Sequence, residues 1–447
     1  MSGTYVWKPR EIPLHDGYDV IIAGGGPAGI AAAVSAAREG AVTLLIEATG
    51  ALGGMSTMGL VPAWCPFSDK EKIIYRGLAQ RIFEEGKRRM PHVDPDSLDW
   101  VPINPEIMKV IYDDLCCEFG VHVLFGTVLS DAEAENGEVK TLLVTNKAGL
   151  SAYRAKVYVD CTGDADLCAM AGAPVHLGDD DPAYPLQDAS LCFSIGGVDD
   201  EAYVHGIDLH TSNPSAPVHA MAASEDYPWV TDVHFCHAHI AEGAVGFNAG
   251  HIRELRDGTD PEQLSRAYMA GRKKAHDVLR GLRAMQPDSF GEAYLSETAP
   301  LMGVRETRRI EGDYTLTRED YLARRSFPDE IARNSYYLDV HGRTKPKPGM
   351  PELTGEERNA RYGRGESHGI PYRCLTPKGF SNLLAAGRCI SADRDVLGSV
   401  RVMPNCFTTG EAAGLAAAMC AKSGAGVHDV DTGDLRARLR AYGAYFL

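Results

Sequence analysis

Gly24, Gly26 and Gly29 stand in the spacing Gly-x-Gly-x-x-Gly, with Pro27 and Ala28 between the last two. The first glycine permits a tight turn, the second lets backbone approach a pyrophosphate, and the third lets a helix pack closely on a strand. A helix starting there turns unpaired N–H groups and its positive dipole end toward phosphate. Glu47 follows 23 residues after Gly24. At that place a carboxylate accepts hydrogen bonds from a ribose 2′-OH and repels a 2′-phosphate. The chemistry is dinucleotide binding with NADP disfavoured, and this unit by itself leaves NAD and FAD both open.

Other residues are suited to hold an anion or move a proton. Arg305, Arg308 and Arg309 cluster beside Glu306 and Glu311. They read as an anion clamp or as one salt-bridged face, the second being the stronger reading for Arg308 and Arg309. His234-Phe235-Cys236-His237-Ala238-His239 alternates as a strand does, so His237 and His239 share one face, opposite His234 and Cys236. His237 and His239 are expected either to line a substrate pocket or to be ordinary hydrogen-bonded histidines. As a His-x-His pair they are half a metal site, but no two further ligands follow at matched spacing, and no metal is expected. His368 is a further candidate acid or base.

The elements that would position these groups are clearest at the two ends of the chain. Tyr18–Ala23 predicts a buried strand, Ile30–Glu39 a helix of small residues closed by Gly40, and Val42–Ile46 a second strand. That is the βαβ unit of a parallel sheet. Asn104–Phe119 predicts a helix and Val121–Phe125 a strand. Glu138–Val144 and Tyr153–Val159 predict two strands joined by a turn at residues 146–149. From about Pro174 to Tyr372 the texture changes to frequent glycine, proline, aspartate and histidine. Pattern then returns, with a strand at Asn382–Ala386 and an alanine-rich helix at Cys406–Lys422. The expected organisation is α/β: a dinucleotide-binding domain built from residues 1–173 and 373–447, with an α+β substrate or cap domain at 174–372. Gly410, Ala413, Gly414 and Ala417 give the last helix a thin face that can approach another backbone.

The chain has 447 residues, 44% apolar and 24% charged, which suits two or three folded domains and excludes general disorder. With 45 Lys and Arg against 61 Asp and Glu, the net charge is −16, and no cationic field exists for a nucleic acid partner. Eleven cysteines include no Cys-x-x-Cys pair, which excludes a dithiol redox motif and iron–sulfur or zinc-ribbon spacing, and fits a reducing cytoplasm. Met1–Gly17 has no apolar signal region, and the alanine-rich runs near Gly29 and Ala412 are too short to span a bilayer. Gly363-Arg364-Gly365 has the wrong spacing for a second dinucleotide loop, so no separate NAD(P)H domain is expected.

Three later segments bring in a resemblance. Leu52-Gly53-Gly54-Met55-Ser56-Thr57-Met58-Gly59 resembles the Gly-Gly continuation of two-dinucleotide-fold flavoproteins, and Val157 to Asp164 resembles their second FAD-contacting strand end. Asn382 to Ser391 and Ser399 to Cys406 resemble their C-terminal flavin segment. Ala299 to Arg309 and Ile370 to Leu375 complete a resemblance to the bacterial FAD-dependent oxidoreductase family, distant cousins of succinate dehydrogenase and fumarate reductase flavoproteins.

The resemblance implies a Rossmann-like, glutathione-reductase-type FAD domain. It implies FAD contacts from Gly24, Gly26, Pro27, Ala28, Gly29, Glu47, Gly53, Gly54 and Thr57. Thr162, Gly163, Asp164, Gly387, Arg388, Arg401 and Asn405 would complete them. Pro404 and Asn405 would precede a helix with Thr408 and Thr409 in its first turn, facing the flavin pyrimidine edge. Some cousins attach flavin to a histidine after the Gly-Gly pair; Met55, Ser56 and Thr57 stand there, so non-covalent FAD is expected. Arg305, His251, Arg401 and His368 are the catalytic candidates, with Asn248, His237, His239 and Arg305 around the substrate.

The implied activity is hydride transfer between flavin N5 and a small hydroxylated or carboxylic substrate, with an unidentified electron partner. A flavin subunit of an electron-transfer complex and a non-redox flavoenzyme are the alternatives, and a homo-oligomer is compatible with any of them.

Overall fold

The computed structural model of the chain describes Tyr5 and residues 9–178, 186–342 and 361–447. Strand β1 (Leu14–Ala23) buries its β-branched half, Val20–Ala23, and leads through the glycine loop into helix α1 (Pro27–Arg38). The helix starts three residues before the expected Ile30, because Pro27 has its φ set for the first helical turn and no N–H to satisfy. Strand β2 (Thr43–Ile46) follows, then helices α2 (Leu78–Arg88) and α3 (Pro105–Glu118). Asn104 caps α3 by accepting the N–H groups of Glu106 and Ile107.

Strands β3 (His122–Leu124), β4 (Val128–Glu135), β5 (Glu138–Asn146) and β6 (Gly149–Asp160) extend the sheet. Its order is β3-β2-β1-β6-β5-β4. The β1, β2, β3 and β6 pairings are parallel, and β4–β5–β6 is an antiparallel meander. The twelve-residue β6 is long enough to take two partners on one edge. Its first half pairs with β5, and Tyr158–Asp160 pair in parallel with Leu383–Ala385 from the far end of the chain.

That returning strand belongs to a segment whose helix lies on α1. Strands β7 (Val175–Leu177), β8 (Phe193–Gly196), β9 (Phe235–Ala241), β10 (Ala244–Ala249), β11 (Tyr294–Thr298), β12 (Arg308–Ile310), β13 (Glu330–Asn334) and β14 (His368–Pro371) intervene before β15 (Leu383–Ala385). In the same stretch helices α4 (Asp200–His205) and α5 (Pro261–Met285) form, and α6 (Met403–Ser423) follows β15. A Cβ at Gly410 would lie 2.1 Å from the Ala28 carbonyl oxygen, and one at Gly414 would lie 2.0 Å from that of Ala32. The thin face expected on the last helix therefore touches α1 backbone to backbone. The Arg38 guanidinium and the buried Glu411 carboxylate, 2.9 Å apart, fasten the same pair of helices.

The stretch expected as one domain, 174–372, divides by its packing. Strands β11-β8-β10-β9 form an antiparallel sheet. Phe193, Ile195, Phe235, Val245 and Phe247 pack on one face of it with Ala275, Val278, Leu279 and Leu282 of α5 in a separate core. Leu316, Tyr321, Ile331, Ala332, Leu338, Ile370 and Tyr372, by contrast, pack in the core that holds α1, α3 and α6. The cap is thus smaller than expected, and the segments after Leu316 rejoin the dinucleotide domain. Among the described residues no helix is long and apolar enough to cross a membrane.

The helix contact has a diagnostic sign. Exposed Gly→Ala in a helix interior stabilises by about 1 kcal/mol, whereas a methyl forced into packed backbone costs about 1–3 kcal/mol. Gly414→Ala should therefore lower the denaturant midpoint, while Gly86→Ala, whose methyl would meet only the Met108 sulfur at 3.2 Å, should not. Equal midpoints for the two variants would contradict the close crossing.

Candidate functional site

The ends of β1 and β6 lie side by side, with Cys161 N–H donating to Ala23 O at 2.8 Å. This is the crevice at the carboxyl ends of a parallel sheet where such folds take their ligands. Gly24 turns there with φ +95°, and a Cβ on it would lie 2.6 Å from Cys161 O. A Cβ on Gly29 would lie 1.8 Å from Gly24 O, so the loop and α1 leave no room for a side chain. At Gly26 the same construction meets nothing within 4 Å: the loop opens outward at the helix N-terminus, which no side chain caps. Pro27 and Ala28 start the helix. Glu47 Oε2 accepts the Gly25 N–H and Oε1 the Thr49 N–H, each at 2.7 Å, which fixes the carboxylate beside the loop.

Gly53 donates its N–H to Gly25 O at 2.9 Å, and Gly54 lies against Gly26. Thr57 spends its hydroxyl on Leu52 O at 2.6 Å, so its side chain shapes the turn. Thr162 bonds Asp160 through its hydroxyl at 2.7 Å, and Gly163 packs on Arg388. Asp164 accepts from Arg388 at 2.6 Å and from Thr307 at 2.5 Å. Gly387 donates to Thr409 Oγ1 at 3.2 Å.

Helix α6 begins at Met403, earlier than expected. Asn405 thus lies within its first turn, and the Thr408 and Thr409 hydroxyls bond back to Asn405 O rather than facing out. The reason is again proline, which Pro404 places in the first turn where its missing N–H costs nothing. Asn405 Nδ2 donates to Val400 O at 2.6 Å, while its buried Oδ1 has no partner. Two uncapped helix starts, an open loop at Gly26, a ribose-side carboxylate and an unpaired amide oxygen together fit an extended dinucleotide.

A second group of side chains gathers between β9–β10 and the segment around Asp339. Arg305 is buried; its Nη1 donates to Asp188 O at 2.6 Å and to Ser190 Oγ at 3.0 Å, and it makes no ion pair among the described residues. Burial, then the charge of Arg401, lowers its pKa. Arg401 Nη2 reaches Asp339 O at 3.0 Å and Asp339 Oδ2 at 3.3 Å. Burial opposes ionisation of Asp339, but the His341 hydrogen bond and the two arginine charges hold its carboxyl below the usual range.

His341 Nε2 lies 3.1 Å from Asp339 Oδ1, and His341 Nδ1 lies 2.9 Å from His251 Nε2. His251 Nδ1 in turn lies 3.2 Å from Asp232 Oδ1. The His234 ring centroid is 4.4 Å from that of His251. Burial, then Arg305, pushes His341 down to about 4 and His234 to about 2. The thiols here stay protonated at neutral pH: burial raises Cys65 to about 12 and Cys236 to about 11. Cys236 pairs across the strands with Asn248, whose buried Oδ1 has no partner among the described residues.

The structure thus brings Arg305, Arg401, His251 and Asn248 to one place, and corrects three other expectations. His237 and His239 do not face this cluster. His237 bonds Tyr203 OH at 2.6 Å and His239 bonds Asp200 at 2.8 Å, both on α4. Phe235 decides it: with Phe247 it must bury in the cap core, so its alternation partners His237 and His239 go to that side. His368 is sealed between Tyr321 and Tyr362, with Nδ1 2.8 Å from Tyr362 OH and its pKa pushed down to about 3 by burial. It is a packed core histidine. Arg308 and Arg309 are paired with Asp166 and Glu306, as the salt-bridged reading expects.

Asp232, His234, Asp339 and His341 were not singled out as site residues. His234 carried a signal in the strand alternation, once Phe235 is assigned to the core. Asp339-Val340-His341 carries none, because it lies outside any regular element.

Loss of the carboxylate at residue 47 removes the acceptor of the Gly25 and Thr49 N–H groups and, on the expectation that Glu47 holds the ribose, a ligand contact as well. Glu47→Ala should weaken retention of the dinucleotide by about 10- to 100-fold, from roughly 1.5–3 kcal/mol for a charged hydrogen bond. The measurement is bound flavin per chain after desalting; an unchanged ratio would contradict the assignment.

Comparison with known proteins identifies the family. The FAD-dependent oxidoreductase family matches residues 19–439. A short stretch of 55 residues is 44% identical to dihydrolipoyl dehydrogenase of Trypanosoma brucei brucei, covering 12% of each chain. Among solved structures, a geranylgeranyl bacteriochlorophyll reductase-like protein of Thermoplasma acidophilum is 12% identical over 96% of this chain and 83% of that one, with a TM-score of 0.45. The p-nitrophenol 4-monooxygenase PnpA of Pseudomonas putida DLL-E4 is 12% identical over 96% and 87%, also at 0.45. Identity this low carries no chemistry across. The family match, running from the middle of β1 to beyond α6, makes this chain a member of the FAD-dependent oxidoreductases, with FAD as its cofactor.

Proposed function

We propose that the enzyme oxidises or reduces a small organic substrate carrying a carboxylate or comparable anionic oxygen, by hydride transfer in the pocket of Arg305 and Arg401. Bound FAD supplies the hydride acceptor or donor. The observation that supports this reading is Arg305: a buried guanidinium with no carboxylate partner among the described residues. A buried, unpaired cation is costly, and an anionic ligand is what removes the cost.

Each residue has a definite task in this reading. Asp188 and Ser190 orient Arg305, leaving the rest of its planar fork for two parallel hydrogen bonds to a carboxylate. Asp339 aims Arg401 from the opposite side. Asn248 offers an unpaired amide oxygen to a substrate hydroxyl. The burial of Arg305 strengthens its contacts relative to those made in water.

The test is anaerobic mixing with a panel of hydroxy acids, dicarboxylates and neutral sugars, following loss of the visible flavin band. Bleaching by an acid, weakened about 10- to 100-fold in KM by Arg305→Ala and less by Arg305→Lys, is expected from roughly 1.5–3 kcal/mol per charged hydrogen bond. Bleaching by neutral sugars alone, unaffected by Arg305→Ala, would overturn the reading.

A further inference from the structure

The three histidines of the pocket are arranged more closely than substrate binding requires. His234 precedes β9 and His251 follows β10, and Gly250 N–H donates to His234 O at 2.7 Å, which locks the two strand ends together. His341 arrives from a separate segment, held because its N–H donates to Gln187 Oε1 at 3.2 Å and its carbonyl accepts the Asp188 N–H at 3.3 Å. One ring nitrogen from each histidine lies within 4.8 Å of the other two.

The outer carboxylates dictate the tautomers. Asp339 Oδ1 faces His341 Nε2 at 3.1 Å, and Asp232 Oδ1 faces His251 Nδ1 at 3.2 Å, so each of those nitrogens carries a hydrogen toward its carboxylate. With both rings neutral the inner nitrogens, His341 Nδ1 and His251 Nε2, present lone pairs 2.9 Å apart. Such a pair is satisfied either by one added proton shared between the rings or by a metal ion that both nitrogens ligate.

His234 separates the two cases. A shared proton needs only two acceptors, yet a third imidazole stands beside the pair. Neither ring nitrogen of His234 makes a hydrogen bond among the described residues, and its Nδ1 is fully buried. We propose that His234, His251 and His341 form a binding site for a first-row divalent transition metal of the zinc class. Asp232 and Asp339 serve as the carboxylates that orient two of the ligands.

Three neutral imidazoles select zinc, cobalt or copper over magnesium and calcium, which prefer oxygen. Three protein ligands leave a coordination position open for substrate oxygen. At metal–nitrogen distances of about 2.0–2.1 Å, tetrahedral ligand nitrogens stand roughly 3.3–3.4 Å apart, so the His251–His341 pair opens by about 0.4 Å and the His234 ring turns inward to join it. Arg305, Arg401, Arg253 and Lys274 bring like charge to the site; Asp188, Asp232 and Asp339 oppose it. The inference does not depend on which substrate the flavin serves.

The test uses FAD-loaded protein equilibrated with Zn2+, dialysed, and assayed for zinc and flavin per chain. Expected is close to one zinc per chain, lost in His234→Ala and His341→Asn at unchanged flavin content, and retained in His237→Ala, which alters the opposite strand face. Asp232→Asn should weaken zinc affinity by about 10- to 100-fold, the usual effect of removing an orienting carboxylate. With Cu2+ as probe, electron paramagnetic resonance should show nitrogen hyperfine structure from imidazole ligands. No zinc in the parent protein, equal zinc in parent and His234→Ala, or copper spectra without nitrogen coupling would each overturn the site.

Discussion

The contact between α1 and α6, in which Gly410 and Gly414 press on the carbonyl oxygens of Ala28 and Ala32, is the constraint from which the rest of the molecule follows. Residues about 380 apart in sequence are held backbone to backbone, and no side chain larger than hydrogen fits between them. The contact keeps the last helix beside the glycine loop and returns β15 to the free half-edge of β6. The dinucleotide crevice is thereby closed from both ends of the chain. Everything between must leave the sheet and come back, and the antiparallel sheet with its own core is formed in that excursion.

The buried ion pair of Arg38 and Glu411 belongs to the same device. Glu411 also accepts the N–H of Leu78 at the start of α2, so one carboxylate registers three helices. Breaking such a pair by removing one partner costs about 3–5 kcal/mol, since it strands a charge in the core. Geometry at the helix crossing and charge satisfaction at its end thus enforce one arrangement.

The pocket follows a different logic. Arg305, Arg401, Asp232, Asp339 and three imidazoles are drawn together from the cap sheet, from the segment after it and from the turn before α6. Away from bulk water their interactions are stronger and their desolvation is costly, and a cluster of this kind is a poor means of stabilising a fold. Its members hold one another at fixed distances, while among the described residues Arg305 makes no ion pair and neither His234 ring nitrogen makes a hydrogen bond.

The dinucleotide half was legible in the chain itself. Gly24, Gly26, Gly29 and Glu47 act over short separations, and the turn, the helix start and the next strand are local consequences of residue type. The thin face of α6 was legible for the same reason, although its partner was not. Helix starts were misplaced by three residues at Pro27 and Met403, because periodicity marks where apolar residues recur and proline marks where the helix can begin.

The pocket was decided by tertiary structure. Alternation divides His234 and Cys236 from His237 and His239, but it does not say which face meets the cap core; the burial of Phe235 against Phe247 does. His368 carries the same ring as His251, and only packing makes one a sealed core residue and the other a member of the cluster. Asp339 and His341 come from an irregular segment with no local pattern, Asp339 placed by Arg401 and His341 by a bond to Gln187, 154 positions away. Local residue type therefore determined a dinucleotide loop and the parallel sheet, whereas the identity of the clustered residues waited on contacts between distant segments, which no spacing along one chain encodes.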